Sequence, residues 1–279
     1  MAKENPMNYN RRRFLAGSAA ALAGTFIPES LPARHQHNSP EVNMHLPSLK
    51  GRKILYVYGG WKGHEPYESV GLFKPWLDEQ GAKVKVFDTL DPYTDPVLMK
   101  ETDLVIQVVT MSEISKEQEK GLLDAVREGC GFAGWHGGTC DSFRQNTNYQ
   151  FMTGGQWVAH PGGIIDYSVR IKDRTDPVTR GLNDFSMHSE QYYMHVDPNV
   201  NVLATTRFNA DHAPWIDGCI IPVVWKKTYG RGRIFYSSLG HVAADFDVPE
   251  ASEIVKRGML WACESRHHPA EPWVSPVYE

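Results

Sequence analysis

Cys130-Gly-Phe-Ala-Gly-Trp-His-Gly-Gly138 is the stretch that decides the fold. Its first part, Cys130–Trp135, is apolar and reads as a buried strand. It runs straight into Gly134-Trp-His136-Gly-Gly138, where glycines flank a single imidazole. That spacing belongs to a nucleophile elbow, a sharp strand-to-helix turn at the mouth of an α/β sheet. Hydrolases of this build carry Ser or Cys at the tip. Here the tip is His136, and Cys140, four residues on, is a poor substitute. The start of the next helix is expected to keep the imidazole neutral, as a base or a metal ligand, while thiol-based acyl transfer has lost its nucleophile.

The flanking sequence alternates strand and helix. Lys53–Tyr58 is a short apolar run closed by Gly59-Gly60, and Glu65–Gln80 repeats Val70, Phe73, Trp76 and Leu77 at helical spacing before Gly81. Lys83–Phe87 and Asp103–Val109 read as the next strands. Ser115 to Gln118 is a capping box opening a helix with Leu122, Leu123 and Val126 on one face. Such βαβ units mean a parallel sheet. Beyond residue 150, Ile164–Ile171, Glu190–Val196, Val200–Thr205, Ile220–Lys226 and Arg233–Ser237 read as strands, the last two forming a hairpin through Tyr229-Gly-Arg-Gly232. A helix over Glu250–Cys263 closes the domain. The predicted class is α/β: a Rossmann/flavodoxin-like, mostly parallel sheet with helices on both faces, plus extra antiparallel strands in the C-terminal half. The domain is expected over 51–265, with a tail over 266–279.

The N-terminus carries a different signal. Arg11-Arg12-Arg13-Phe14-Leu15 precedes a weakly apolar run, Ala16 to Ile27, too short to cross a bilayer. It has the form of a twin-arginine export signal over 1–33, cut after Ala23 or Ala33, with 34–50 as linker. A periplasmic or other extracytoplasmic location follows, with no stable membrane association once the leader is gone.

Composition agrees with an ordinary globular chain of 279 residues, 41% hydrophobic and 22% charged. The formal charge is -4. The leader holds four cations (Lys3, Arg11, Arg12, Arg13) and two carboxylates (Glu4, Glu29), so the remainder is more acidic still. Nothing there suits nucleic acid or an anionic membrane. Cys130, Cys140, Cys219 and Cys263 have no C-x-x-C spacing and read as buried thiols.

In open parallel sheets ligands bind beyond the C-terminal ends of the strands. Polar residues collect there: Trp61 and His64 after the first strand, Trp135 and His136 at the elbow, then His160, Glu190 and Gln191, and finally His241 with Asp245. Each histidine competes with a plainer role as a packed core group, and Glu190 with a surface ion pair. Three histidines (His136, His160, His241) and a carboxylate would make an open site for zinc or a similar divalent metal. The same groups, His136, Glu190 and His160, would serve acid–base catalysis without one. Trp61 and Trp135 are candidate stacking faces for a sugar, with His64, Gln191 and Asp245 as further substrate contacts. No nucleotide cofactor is expected, and a homo-oligomer is left open.

Trp135-His-Gly-Gly138, Thr153-Gly-Gly-Gln-Trp157, Ala159-His-Pro161, Asp176-Pro-Val-Thr-Arg-Gly181, Ser189-Glu-Gln-Tyr-Tyr193, Pro222-Val-Val-Trp225 and Ser238-Leu-Gly-His241 form an ordered set. Over roughly 52–263 the set resembles the ThuA-like (trehalose utilisation) family. That family is similar in fold to class I glutamine amidotransferases but lacks their catalytic Cys. The resemblance implies a carbohydrate substrate and use beside dehydrogenases that make 3-keto-glycosides. The function expected is lyase- or hydrolase-type cleavage of such keto-sugars. A non-catalytic periplasmic sugar-binding protein and a metal-dependent hydrolase or amidase are the alternatives.

Overall fold

A computed structural model of the chain describes residues 47–268; the leader and most of the linker lie outside the described residues. The strands and helices, in order, are β1 (Lys53–Gly60), α1 (Pro66–Glu79), β2 (Lys83–Phe87), α2 (Pro96–Glu101), β3 (Leu104–Thr110), α3 (Lys116–Arg127), β4 (Gly131–Trp135), α4 (Gly137–Cys140) and α5 (Thr147–Thr153). Then come β5 (Gly155–Ala159), β6 (Ile164–Ile171), β7 (Phe185–Glu190), β8 (Tyr193–Val196), β9 (Asn201–Arg207), β10 (Ile220–Tyr229), β11 (Gly232–Ser237) and α6 (Pro249–Cys263).

One nine-stranded sheet runs in the order β2-β1-β3-β4-β11-β10-β9-β6-β7. The pairs from β2 to β11 are parallel and those from β11 to β7 antiparallel. Strand alternation divides the core. On β1, Ile54 and Tyr56 face a layer built with Phe73 and Leu77 of α1 and Ile254 and Val255 of α6. Leu55 and Val57 face the opposite layer, with Leu122 and Val126 of α3 and Met152 of α5. Each fully buried Leu, Phe or Val contributes about 1.5–3 kcal/mol. The capping box forms as read, Ser115 Oγ accepting from the Gln118 amide and Gln118 Oε1 from the Ser115 amide.

Three details differ from the sequence reading. The run Glu190–Val196 holds only the last residue of β7, whose Phe185–Ser189 went unread, and the whole of β8 in a second sheet. Gln191 turns its amide onto Thr206 Oγ1 and the Arg207 carbonyl, so β7 stops at Glu190, and β8 pairs instead with β5. That small β5–β8 sheet went unread because Gly155–Ala159 has no clear alternation. Packing also exceeds the expected limits. Leu49, read as linker, is fully buried, and Arg266, read as tail, donates to the carbonyls of Thr102 and Met99. None of the described helices is long and apolar enough to cross a membrane.

Candidate functional site

The elbow forms. His136 follows β4 with φ 49° and ψ −144°, a conformation a non-glycine residue adopts at a cost of about 1–3 kcal/mol. Strand β11 holds it there: the His136 amide donates to Ser237 O at 2.7 Å, and the Tyr236 hydroxyl donates to His136 O at 3.2 Å. Gly137 must be glycine because a Cβ would run into the His64 imidazole.

Four loops bring their side chains to this point. His64 comes from the loop after β1, His136 from the elbow, His241 from the loop after β11, and Glu190 from the end of β7. One ligating atom from each lies within 4.8 Å of all the others. Glu190 Oε2 is the focus: His136 Nε2 is 3.0 Å away, His241 Nδ1 3.3 Å and His64 Nε2 3.8 Å. Tyr192 stacks on His136 with ring centres 3.9 Å apart. Asp245 ties the loops together, accepting from Ser189 Oγ at 2.6 Å and from the His241 amide at 2.9 Å. Glu65, itself at φ 47°, accepts the Ala243 amide and joins the His64 loop to the His241 loop.

The outer ring nitrogens determine what the inner ones can do. His136 Nδ1 lies 2.8 Å from the Ser238 carbonyl, which can only accept, so Nδ1 carries the proton. Its Nε2 lone pair then points at Glu190. His64 Nδ1 lies 2.9 Å from Thr110 Oγ1, and with Nδ1 donating, its Nε2 also turns inward as a lone pair. His241 Nδ1 is buried and makes no aligned hydrogen bond. Burial lowers the His136 pKa to about 4, against the opposing pull of Glu190, so the imidazole is neutral. The sequence reading credited a helix terminus for this neutrality. α4 has only four residues, and burial is the cause. Burial opposes charge on Glu190, but its contacts to His136, His241 and His64 outweigh that and hold the carboxyl well below its usual range. At His241 burial works against protonation, yet the Glu190 carboxylate raises the pKa above the ordinary value. Ring nitrogens of three histidines therefore converge on an ionised carboxylate among buried side chains. Such an arrangement wants a cation. Imidazoles donating their outer N–H to a carbonyl or hydroxyl form the usual second layer of a metal site.

The remaining candidates separate. His160, expected as a metal ligand, stands outside the tight set. Its Nε2 is 3.6 Å from Glu190 Oε1, its side chain is 35% exposed, and His64 takes its place in the cluster. Trp61 is 46% exposed and edge-on to His64. Trp135 is not a sugar-stacking face: it is 1% exposed and packs against Tyr56, Phe73 and Phe246, because its parity on β4 turns it under α1 and α6. Trp157, which sequence reasoning passed over, lies 5.8 Å from His160 at the site's edge. Gln191 Nε2 donates to Thr206 Oγ1 and the Arg207 carbonyl, and Asp245 Oδ2 accepts from Ser189 and the His241 amide and so ties loops together.

The ThuA family model, described as trehalose utilisation, matches residues 53–262. The chain belongs to the ThuA family. Among curated proteins none matches it significantly. Among solved structures, a ThuA-like protein from Bacteroides uniformis is 17% identical with a TM-score of 0.65, covering 76% of this chain and 92% of its own. A ThuA-like protein from Parabacteroides merdae is 18% identical with a TM-score of 0.61, covering 80% and 92%. A cytoplasmic protein of Salmonella typhimurium is 11% identical with a TM-score of 0.53, covering 78% and 100%. At these identities the likeness carries the fold alone: the ThuA sheet with helices on both faces.

Proposed function

We propose that this ThuA-family protein is an exported enzyme that cleaves 3-keto-glycosides by elimination, with a divalent metal held by His64, His136, His241 and Glu190. One observation carries the metal: ring nitrogens of His136, His241 and His64 face Glu190 Oε2, with the outer nitrogen of His136 on the Ser238 carbonyl and that of His64 on the Thr110 hydroxyl. A divalent cation there would supply Lewis-acid stabilisation to negative charge on a substrate oxygen.

A ketone at the third sugar carbon acidifies the C2–H bond. A base takes that proton, the electron pair forms the enolate, and collapse of the enolate expels the C1 substituent. The products are a 1,2-unsaturated 3-keto sugar and a free alcohol, the departing oxygen taking up one proton. The sequence reading assigned the base to Glu190 or His136. Those two face each other inside the cluster, so we assign it to His160. Glu190 Oε1, the oxygen turned away from the other imidazoles, orients His160 through Nε2. That leaves His160, whose side chain is 35% exposed at the edge of the cluster, to accept the proton. Exposed Trp61 beside His64 and Trp157 beside His160 supply apolar surface for a sugar ring.

The test uses 3-keto-trehalose with untagged protein. Sugar release that stops with chelator, returns with added zinc and disappears in His160→Ala is the expected result. Binding without turnover would leave a sugar-binding protein. Hydrolysis of simple esters or amides instead would favour a metal-dependent hydrolase. Export rests on the Arg11-Arg12 pair, and replacing both by Lys should retain the protein in the cytoplasm.

A further inference from the structure

Glu190 faces histidines with both of its oxygens. Oε2 is turned to His136, His241 and His64, while Oε1 is turned to His160, whose Nε2 stands 3.6 Å away. The two oxygens share one carbon, so His160 stands a short swing from any ion that the other four groups hold. Its arrival there would be harmful. A metal with four protein ligands admits a substrate oxygen only by expanding to five, and a further imidazole would fill that position. The same movement would use up the base.

Tyr192 is placed to prevent it. Its ring stacks on His136 with centres 3.9 Å apart and planes 28° apart, and it is nearly parallel to His160 as well, at 6.1 Å and 27°. The residue is buried, in the layer that holds Cys140, Trp225 and Tyr236. The chain is pinned on either side of it. Gln191 donates to Thr206 Oγ1 and the Arg207 carbonyl, and Tyr193 opens β8 opposite Ala159, the residue before His160. The β5–β8 pairing therefore sets Tyr192 and His160 side by side. Trp157 of β5 stands against both rings, 6.1 Å from Tyr192 and 5.8 Å from His160. His160 is less confined: it is partly exposed and begins a turn closed by the Gly163 amide on its carbonyl at 3.1 Å.

We infer that Tyr192 is a positioning residue whose ring is the spacer that keeps His160 off the metal and free to act as the base. The inference rests on the function proposed above. The flat ring does this and the hydroxyl does not, so phenylalanine should replace tyrosine and an aliphatic side chain should not.

Cobalt-loaded protein tests the idea, because the visible absorption of cobalt reports its geometry and weakens as ligands are added. Tyr192→Leu should show weaker absorption than the unaltered protein, and Tyr192→Met, which fills the space with a flexible chain, should do the same. Turnover of 3-keto-trehalose should fall in both by about 100-fold, the contribution of one general base. Tyr192→Phe should keep the original spectrum and a rate within about twofold. His160→Ala alone should leave the spectrum unchanged, and adding it to Tyr192→Leu should restore the strong absorption. If Tyr192→Leu and Tyr192→Met bind cobalt with the original spectrum, or if the double variant keeps the weak one, the spacer role falls while the metal stands. If the unaltered protein takes up no cobalt, the metal reading falls and takes the spacer role with it.

Discussion

Thr110→Val is the most informative perturbation, because Thr110 is not in the candidate ligand set and its hydroxyl has one identified role. Thr110 Oγ1 lies 2.9 Å from His64 Nδ1, and both residues are buried. The substitution keeps the shape and removes the acceptor. In the metal-free protein His64 can then change tautomer and place its proton on Nε2, toward Glu190 3.8 Å away. Binding a metal would force that proton back to Nδ1, where it would have no acceptor, at a cost of about 1–3 kcal/mol. The expected loss is therefore about 10–100-fold in metal affinity, the range found when an outer partner of a ligating histidine is removed. Competition against a chromophoric chelator, with zinc or cobalt, measures it directly. Thermal unfolding of the metal-free variant should change little. An unaltered affinity in a correctly folded Thr110→Val protein would refute the tautomer argument, and with it the assignment of His64.

Three further outcomes follow from the same geometry. Trp135→Ala should destabilise the fold by about 3–5 kcal/mol, whereas Trp61→Ala should leave the melting temperature unchanged and raise KM; denaturant unfolding beside steady-state kinetics checks the pair. Burial pushes the Cys130 thiol up to about 12 and raises Cys140 and Cys263 further. Because the thiolate is the reactive form, iodoacetamide at pH 8 should label only Cys219 in the folded protein and all four cysteines once denatured, as mass spectrometry would show. A metal bound at a hundredfold excess over its dissociation constant stabilises the fold by about 2.7 kcal/mol, so chelator should lower the melting temperature of the unaltered protein, and of Glu190→Ala hardly at all.

The elbow was legible in the sequence because glycines on both sides of His136 have a steric meaning that survives without a structure. The parallel half of the sheet was legible for a similar reason: each strand there ends in glycine or leads into a helix with a clear apolar face. The antiparallel half was harder, since β7 (Phe185–Glu190) is largely polar and no turn residue marks where the chain leaves the sheet to pack Tyr192 on His136. Trp135 was misread because being next to the tip suggested exposure, whereas its side chain follows the parity of Ala133 into the helix-covered layer. His160 and His64 exchanged places for want of any local signal: both sit in glycine-bearing loops, and distance from Glu190 separates them. The carbonyl of Ser238, which fixes the His136 tautomer, and the hydroxyl of Thr110 beside His64 leave no mark in the sequence at all.

Elemental analysis of protein purified without an affinity tag tests the central assignment most directly. The account predicts about one equivalent of a divalent transition metal per chain, reduced to background in Glu190→Ala and in His136→Ala. A folded, active protein that carries no metal and takes up none on addition would contradict it, and the buried carboxylate would then be sharing protons with its histidines.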